Sequence, residues 1–306
     1  GPKSRTLRDW RRSMEWWVAL TVAGAFLQNL RSLLQRRLTR TLSVNGSSYV
    51  RFLYALPFAW LFAAWLWQDS LPTFNGTFWW YVGIGGLTQI VATSALVAAV
   101  SGGQFAVGTA MSKTEAMQAA AFSLVLLVEQ LSLLALLGIA VSLAGVFLLT
   151  GGVVSPRQLF QRGPALWLGL LAGSSFALCS VCFRGASLAL GTDDADALPR
   201  AALTLAVNLS LQSVVMGAYL LWREPQQIQR VMASWRVAVW VGLIGMTSSV
   251  CWFTAMALTN AALVRAMGQI ELLFTLITSV WFLGEGVRRR EVLGMLLLVI
   301  GILLLI

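Results

Sequence analysis

Ten runs of mostly apolar residues dominate the sequence, each close to the roughly 20 residues that carry an α-helix across a bilayer. They lie at 16–35, 48–67, 78–100, 104–128, 131–151, 164–188, 199–222, 236–258, 262–283 and 290–306. In lipid a backbone can satisfy its polar groups only within helices or a closed barrel. The alternating ten-residue strands of a barrel are missing here, so the expected class is an all-α polytopic membrane protein. Composition agrees. Of 306 residues 58% are hydrophobic and 11% charged, against about 25% charged in ordinary soluble domains. That excludes a soluble globule and a disordered chain.

Six of the seven prolines fit this parsing. Pro72, Pro156, Pro164, Pro199 and Pro225 fall at or near run boundaries, and Pro2 stands in the tail. Pro57 alone lies well inside a run, where a kink is expected. Gly1-Pro2 reads as the scar of a cleaved tag, and no cleavable signal peptide is expected. Many of the 14 tryptophans sit near run ends, as in an interfacial belt. The connections are short, leaving no segment for an extramembrane catalytic domain.

The net charge of +10 comes from arginines at the ends of apolar runs, such as Arg8, Arg11 and Arg12, or Arg288, Arg289 and Arg290. This placement suits lipid headgroups, and no nucleic-acid partner is expected. The absence of histidine excludes a His base, relay or metal ligand. No metal or other cofactor is expected. Three cysteines make no disulfide framework, and Cys179 with Cys182 reads as small-residue packing inside a span.

The sequence also repeats. At a constant offset of 156 residues Met111 falls on Met267, Glu115 on Glu271, Ser123 on Ser279, Glu129 on Glu285, Gly138 on Gly294 and Gly145 on Gly301. Ala106 and Ala110 likewise meet Ala262 and Ala266. No gap is needed, and two matched glutamates in apolar surroundings are hard to obtain by chance. The chain is therefore five helices given twice. Five is odd, so the second copy enters the membrane from the opposite side, the inverted repeat of many secondary transporters. The expected organisation is a basic tail at 1–15, repeats at 16–152 and 164–306, and a connector at 153–163.

The element Glu115, Leu127, Glu129, Gly138 and Gly145, with its copy Glu271, Leu283-Gly284-Glu285, Gly294 and Gly301, resembles the end of an EamA-type repeat. The whole plan is similar to the ten-helix branch of the drug/metabolite transporter superfamily. The resemblance implies a bacterial inner-membrane exporter with cytoplasmic termini. It also implies a cavity between the halves, lined mainly by helices 1, 3, 4, 6, 8 and 9. Two positions depart from the family pattern. Ala116 and Leu272 stand where proline often follows the mid-helix glutamate, and Val128 stands where the second repeat has Gly284.

Ionisable residues deep in a span are functional candidates by default. Glu115 and Glu271 are repeat mates expected to face a common centre, where two carboxyls could share one proton. The alternative is structural pairing with Lys113 or Arg265. Lys113 and Arg265 have the unlike mates Gln269 and Thr109, an asymmetry suited to recognising a carboxylate or phosphate. For Arg265 the competing reading is snorkelling to the interface. Arg51 and Arg184 read as interfacial anchors. Gln89, Gln269 and Asn29 gain weight because cavity helices of the family carry such residues, and Trp252 is a candidate pathway aromatic. Asn208 and Gln212, one turn apart, are expected to bond between helices. Glu129 and Glu285 are expected to cap the helices that follow them, and the four glycines to mark close helix packing.

The positive-inside rule gives a split answer. The tail side holds six basic residues, Lys3, Arg5, Arg8, Arg11, Arg12 and Arg200. The other side holds eleven, among them Arg36, Arg37, Arg157, Arg162, Arg223 and Arg236, opposite to the orientation the resemblance implies. The expectation is a transporter and not an enzyme, working by alternating access as a monomer in the lipid bilayer. Its partners would be a small-molecule substrate and protons, in a proton-coupled exporter of small zwitterionic metabolites such as amino acids. The alternatives are a multidrug exporter of lipophilic organic cations, a passive facilitator and, from another class, an intramembrane enzyme such as a lipid-linked transferase, against which the absent histidine and short loops count.

Overall fold

A computed structural model describes residues 7–101, 111–150, 157, 163–284 and 286–306. Every regular element among them is helical. In chain order they are α1 (Leu7–Leu38), α2 (Val44–Leu53), α3 (Ala55–Leu66), α4 (Gly76–Ser101), α5 (Glu115–Leu126), α6 (Leu133–Thr150) and α7 (Pro164–Leu190). There follow α8 (Ala197–Arg223), α9 (Pro225–Ala233), α10 (Trp235–Leu258), α11 (Ala261–Gly268), α12 (Glu271–Leu283) and α13 (Arg289–Leu305). Four described stretches are long and apolar enough to cross a membrane: Val44–Leu66, Leu166–Leu190, Asp194–Arg223 and Trp235–Leu258. Ala106, Ala110, Glu285 and all of the connector but Arg157 and Gly163 lie outside the described residues.

Three expected spans are discontinuous. The run 48–67 divides at Tyr54 into α2 and α3. Pro57 has no N–H to give the carbonyl four residues back, at Leu53, so the ladder opens there. The runs 104–128 and 262–283, expected to be single helices, break at Lys113-Thr114 and at Gln269-Ile270. α1 is longer than its apolar run and carries the helix back to Leu7, through the arginines of the expected tail.

The helices fall into two compact units. The first comprises residues 1–14, 87–182 and 259–306; the second, 15–86 and 183–258. Each draws on both halves of the sequence repeat, so the compact units and the repeats divide the chain differently. α4 and α7 each give one portion to each unit.

In the first unit α6 packs against α13, and α5 against α11. α6 and α13 run antiparallel with glycines in the seam. A Cβ on Gly138 would lie 2.8 Å from the carbonyl oxygen of Gly301, and one on Gly145 would lie 2.6 Å from that of Gly294. These are backbone contacts that only glycine permits, the close approach typical of helices in lipid. The surrounding core is rich in alanine: Ala116, Ala119, Ala177, Ala261, Ala262 and Ala266, with Ile139, Val181 and Leu305.

In the second unit α8 is central, against α2, α3 and α10. Gln212 Nε2 donates to Gly86 O at 3.3 Å and Asn208 Nδ2 to Gln212 Oε1 at 3.2 Å. Ser248 Oγ donates to Gly24 O at 2.8 Å. Two arginines that read as surface residues are buried here. Arg184 donates to Met256 O at 2.7 Å. Arg200 is 1% exposed and donates to the carbonyls of Ser187, Gly191, Asp193 and Asp196, closing the end of α7. A guanidinium's planar fork of donors suits several acceptors at once.

The turn after α5 has the same backbone conformation in both repeats, although the residue there is Val128 in one and Gly284 in the other. Both residues are left-handed, with φ of 54° and 63°. Leu127 N and Glu129 N both donate to Ser123 O at 3.1 Å, closing the end of α5. Ser132 caps the next helix, its hydroxyl accepting from Ala135 N at 3.1 Å.

Candidate functional site

The two helix breaks are repeat mates: 113, 114 and 115 fall on 269, 270 and 271. At the first, Thr114 Oγ1 donates to Met111 O at 2.7 Å and competes with the chain's own amides for that carbonyl. Gln118 Nε2 in turn donates to Thr114 Oγ1 at 2.8 Å, and Ser174 Oγ of α7 donates to Gln118 Oε1. α7 passes close because residue 173 is glycine, where a Cβ would sit 3.1 Å from the carbonyl oxygens of Met111 and Ser112. At the second break the backbone tightens into bonds three residues long. Gln269 N donates to Ala266 O at 3.2 Å and Ile270 N to Met267 O at 3.1 Å. Gly268, the last residue of α11, weakens the helix there.

Each break starts a new helix with glutamate in its first turn, Glu115 in α5 and Glu271 in α12. A carboxylate is favoured there by the helix dipole. The side chains then cross over between the repeats. Lys113 Nζ lies 3.4 Å from Glu271 Oε1, with the two side chains 20% and 19% exposed. Gln269 Nε2 lies 3.4 Å from Glu115 Oε1. One contact is the other under exchange of repeat mates, with an ammonium in one place and an amide in the other.

The two contacts differ in strength. Opposite unit charges at the Lys113–Glu271 distance of 3.4 Å attract by about 5 kcal/mol at an effective dielectric near 20, before desolvation is subtracted. A neutral amide on a carboxylate contributes about 1.5–3 kcal/mol, and less at so long a distance. Among the described residues Glu115 has no cation within ion-pair distance.

Arg265 of α11 is half-buried and its Nε donates to Ser180 Oγ of α7 at 2.5 Å, so it ties two helices of the first unit and does not snorkel. Cys179 and Cys182 are buried free thiols. Asn260 caps α11 by accepting from Ala262 N at 2.8 Å, and Ser123 Oγ donates to it at 3.4 Å.

Of the eight residues singled out from the sequence, Glu115, Glu271, Lys113, Arg265 and Gln269 meet in this one neighbourhood. Gln89 belongs to the same unit. Asn29 and Trp252 belong to the other, where the Trp252 ring packs into the notch at Gly24 on α1. Gln118, Ser174 and Ser180 complete the polar shell and were not singled out from the sequence. Gln118, an amide one turn beyond the first break, had a local signal, whereas Ser174 and Ser180 on α7 had none. Among the described residues no group of three or more His, Cys, Asp or Glu could hold a metal ion.

Comparison with known proteins identifies a family and solved structures of similar fold. The model of the EamA-like transporter family matches twice, over residues 15–151 and 163–306. A crystal structure of a protein 16% identical in sequence covers 94% of this chain and 95% of its own, with a TM-score of 0.69, and so has the same fold. No curated protein matches the sequence.

Proposed function

The chain belongs to the EamA-like transporter family, and from that premise we propose that it is a proton-coupled exporter of small zwitterionic metabolites such as amino acids. It works as a monomer, by alternating access, in a bacterial inner membrane. The observation that carries this reading is the mixed charge at the paired helix breaks. Two carboxylates, Glu115 and Glu271, stand with Lys113, Arg265 and Gln269 within one apolar unit. Discontinuous helices are where transporters bind substrate and coupling ion. A zwitterion needs both signs in one place. Acids at the breaks suit an ammonium or a proton, and Lys113 and Arg265 suit a carboxylate. Gln89, Asn29 and Trp252 remain candidates for shaping the rest of the path.

The test uses purified protein in liposomes loaded with a pH-sensitive dye. Amino acids and lipophilic quaternary ammonium compounds are added one at a time. Proton movement driven by an amino acid and lost in Glu115→Gln supports the proposal. Movement driven only by the quaternary ammonium compounds replaces it with multidrug export. Amino-acid transport without proton movement removes the coupling and leaves a facilitator.

A further inference from the structure

Repeat symmetry makes the two glutamates equivalent by position, and their partners make them unequal. At Glu271 the Lys113 ammonium lies 3.4 Å away and compensates the carboxylate's charge in place. At Glu115 the corresponding place holds the Gln269 amide, which carries no net charge. Gln269 is 6% exposed, and its Oε1 accepts no hydrogen bond from any described residue. A buried acceptor without a donor is disfavoured, and here it stands beside a carboxylate that has no cation within ion-pair distance among the described residues. Together they offer what a small N–H cation requires, a counter-charge and a second acceptor.

The other charged groups nearby do not fill this role. Arg265, the one ionisable residue of α11, directs its Nε to Ser180. α6 has no ionisable side chain. Cys179 on α7 is a buried free thiol and offers no positive charge. Lys113 is the ammonium already bound across at Glu271.

We propose that Glu115, backed by Gln269, is the single exchangeable cation site of the pair, taking one proton or one substrate ammonium. Lys113 is a built-in cation that occupies the equivalent place at Glu271. Lys113 thereby sets the number of cations exchanged per cycle at one. This rests on the reading of the chain as a transporter with its site at the helix breaks, but it is tested without measuring transport.

The probe is dicyclohexylcarbodiimide, applied to the whole protein in detergent. A protonated carboxyl adds its O–H across one C=N bond of the carbodiimide to give an O-acylisourea, which rearranges to a stable N-acylurea. An ionised carboxylate held by a lysine does not react in this way. Peptide mass spectrometry reads the label at each glutamate. In the unaltered protein Glu115 is expected to be labelled at least about tenfold more than Glu271, whose carboxylate is engaged by the Lys113 ammonium.

Lys113→Gln makes the two places alike, so Glu271 is then labelled as readily as Glu115. Gln269→Lys builds the missing ion pair, so labelling of Glu115 falls by a similar factor. Should either variant fail to fold, the other still decides. Methylammonium chloride separates the two cations. Protection of Glu115 identifies an ammonium site, whereas labelling that follows pH alone identifies a proton site, and both support a single exchangeable cation. Equal labelling of the two glutamates in the unaltered protein, labelling of neither, or labels that ignore both variants would overturn the proposal. Unequal labelling together with a silent liposome assay would leave this inference standing and remove the transport reading instead.

Discussion

Val128 should be replaceable by glycine with a gain in stability. Its φ of 54° is left-handed, a region that costs a residue with a Cβ about 1–2 kcal/mol, with a β-branched side chain at the upper end. Its repeat mate Gly284, at 63°, meets the same requirement without that cost. Val128 is 80% exposed, so removing its side chain forfeits little packing. Glycine adds back about 0.5–1 kcal/mol through its freer unfolded chain. The balance for Val128→Gly is a stabilisation of about 0.5–1 kcal/mol, or about 1–3 °C in melting temperature. The converse change isolates the backbone effect. A Cβ at Gly284 meets nothing within 4 Å, so Gly284→Val should lose about 0.5–1 kcal/mol on the same balance of φ cost against unfolded-chain entropy. Tryptophan fluorescence during thermal unfolding in detergent measures both. A Val128→Gly protein that melts at or below the parent, or a Gly284→Val protein that melts above it, refutes the reasoning.

The glycine seam predicts opposite signs for the same chemical change. Gly145→Ala puts a Cβ 2.6 Å from Gly294 O and Leu298 N and should destabilise by about 1–3 kcal/mol. Gly83→Ala meets nothing within 4 Å and should stabilise α4 by about 0.5–1 kcal/mol; the same melting measurement separates them, and equal shifts would contradict the seam. Arg200→Met strips donors from the carbonyls that close α7 and should cost about 2–4 kcal/mol. Arg200→Lys should recover only part of this, because an ammonium cannot reach several carbonyls as the fork does. Full recovery with lysine would mean that charge alone matters there.

The apolar runs made the helices legible, because lipid leaves the backbone no other solution. Pro57 made the division of the second run legible, since a missing N–H must open the ladder one turn earlier. The glycine seam was legible too, because four glycines in one register have little other use in apolar helices. The breaks at Lys113-Thr114 and Gln269-Ile270 were not. Hydropathy runs through them uninterrupted, and they arise from bonding that hydropathy does not weigh, a threonine hydroxyl taking a carbonyl in one and shortened turns after Gly268 in the other. The weak local signal was threonine directly before Glu115 and glycine shortly before Glu271. Arg184 and Arg200 misled for a different reason. Both lie near run ends, where arginine often reaches water, yet here carbonyls at the ends of α10 and α7 accept them. Which helix end lies beside which is tertiary information.

One geometric rule connects the seam and the charged site. Gly138 meets Gly301 and Gly145 meets Gly294. Lys113 meets Glu271 and Gln269 meets Glu115. In both sets each residue touches the repeat mate of its partner's opposite number, as a two-fold axis between the copies requires. In the seam the four residues are identical, so the two contacts are identical and do nothing but hold helices together. At the breaks one of the four differs. Lysine and glutamine have side chains of similar reach, so the difference changes the charge of one contact while leaving the packing of the pair nearly as it was. A symmetric scaffold can distinguish the two ends of an asymmetric molecule only if some such position departs from the symmetry. Position 113 against position 269 is the departure that lies in direct contact with both carboxylates.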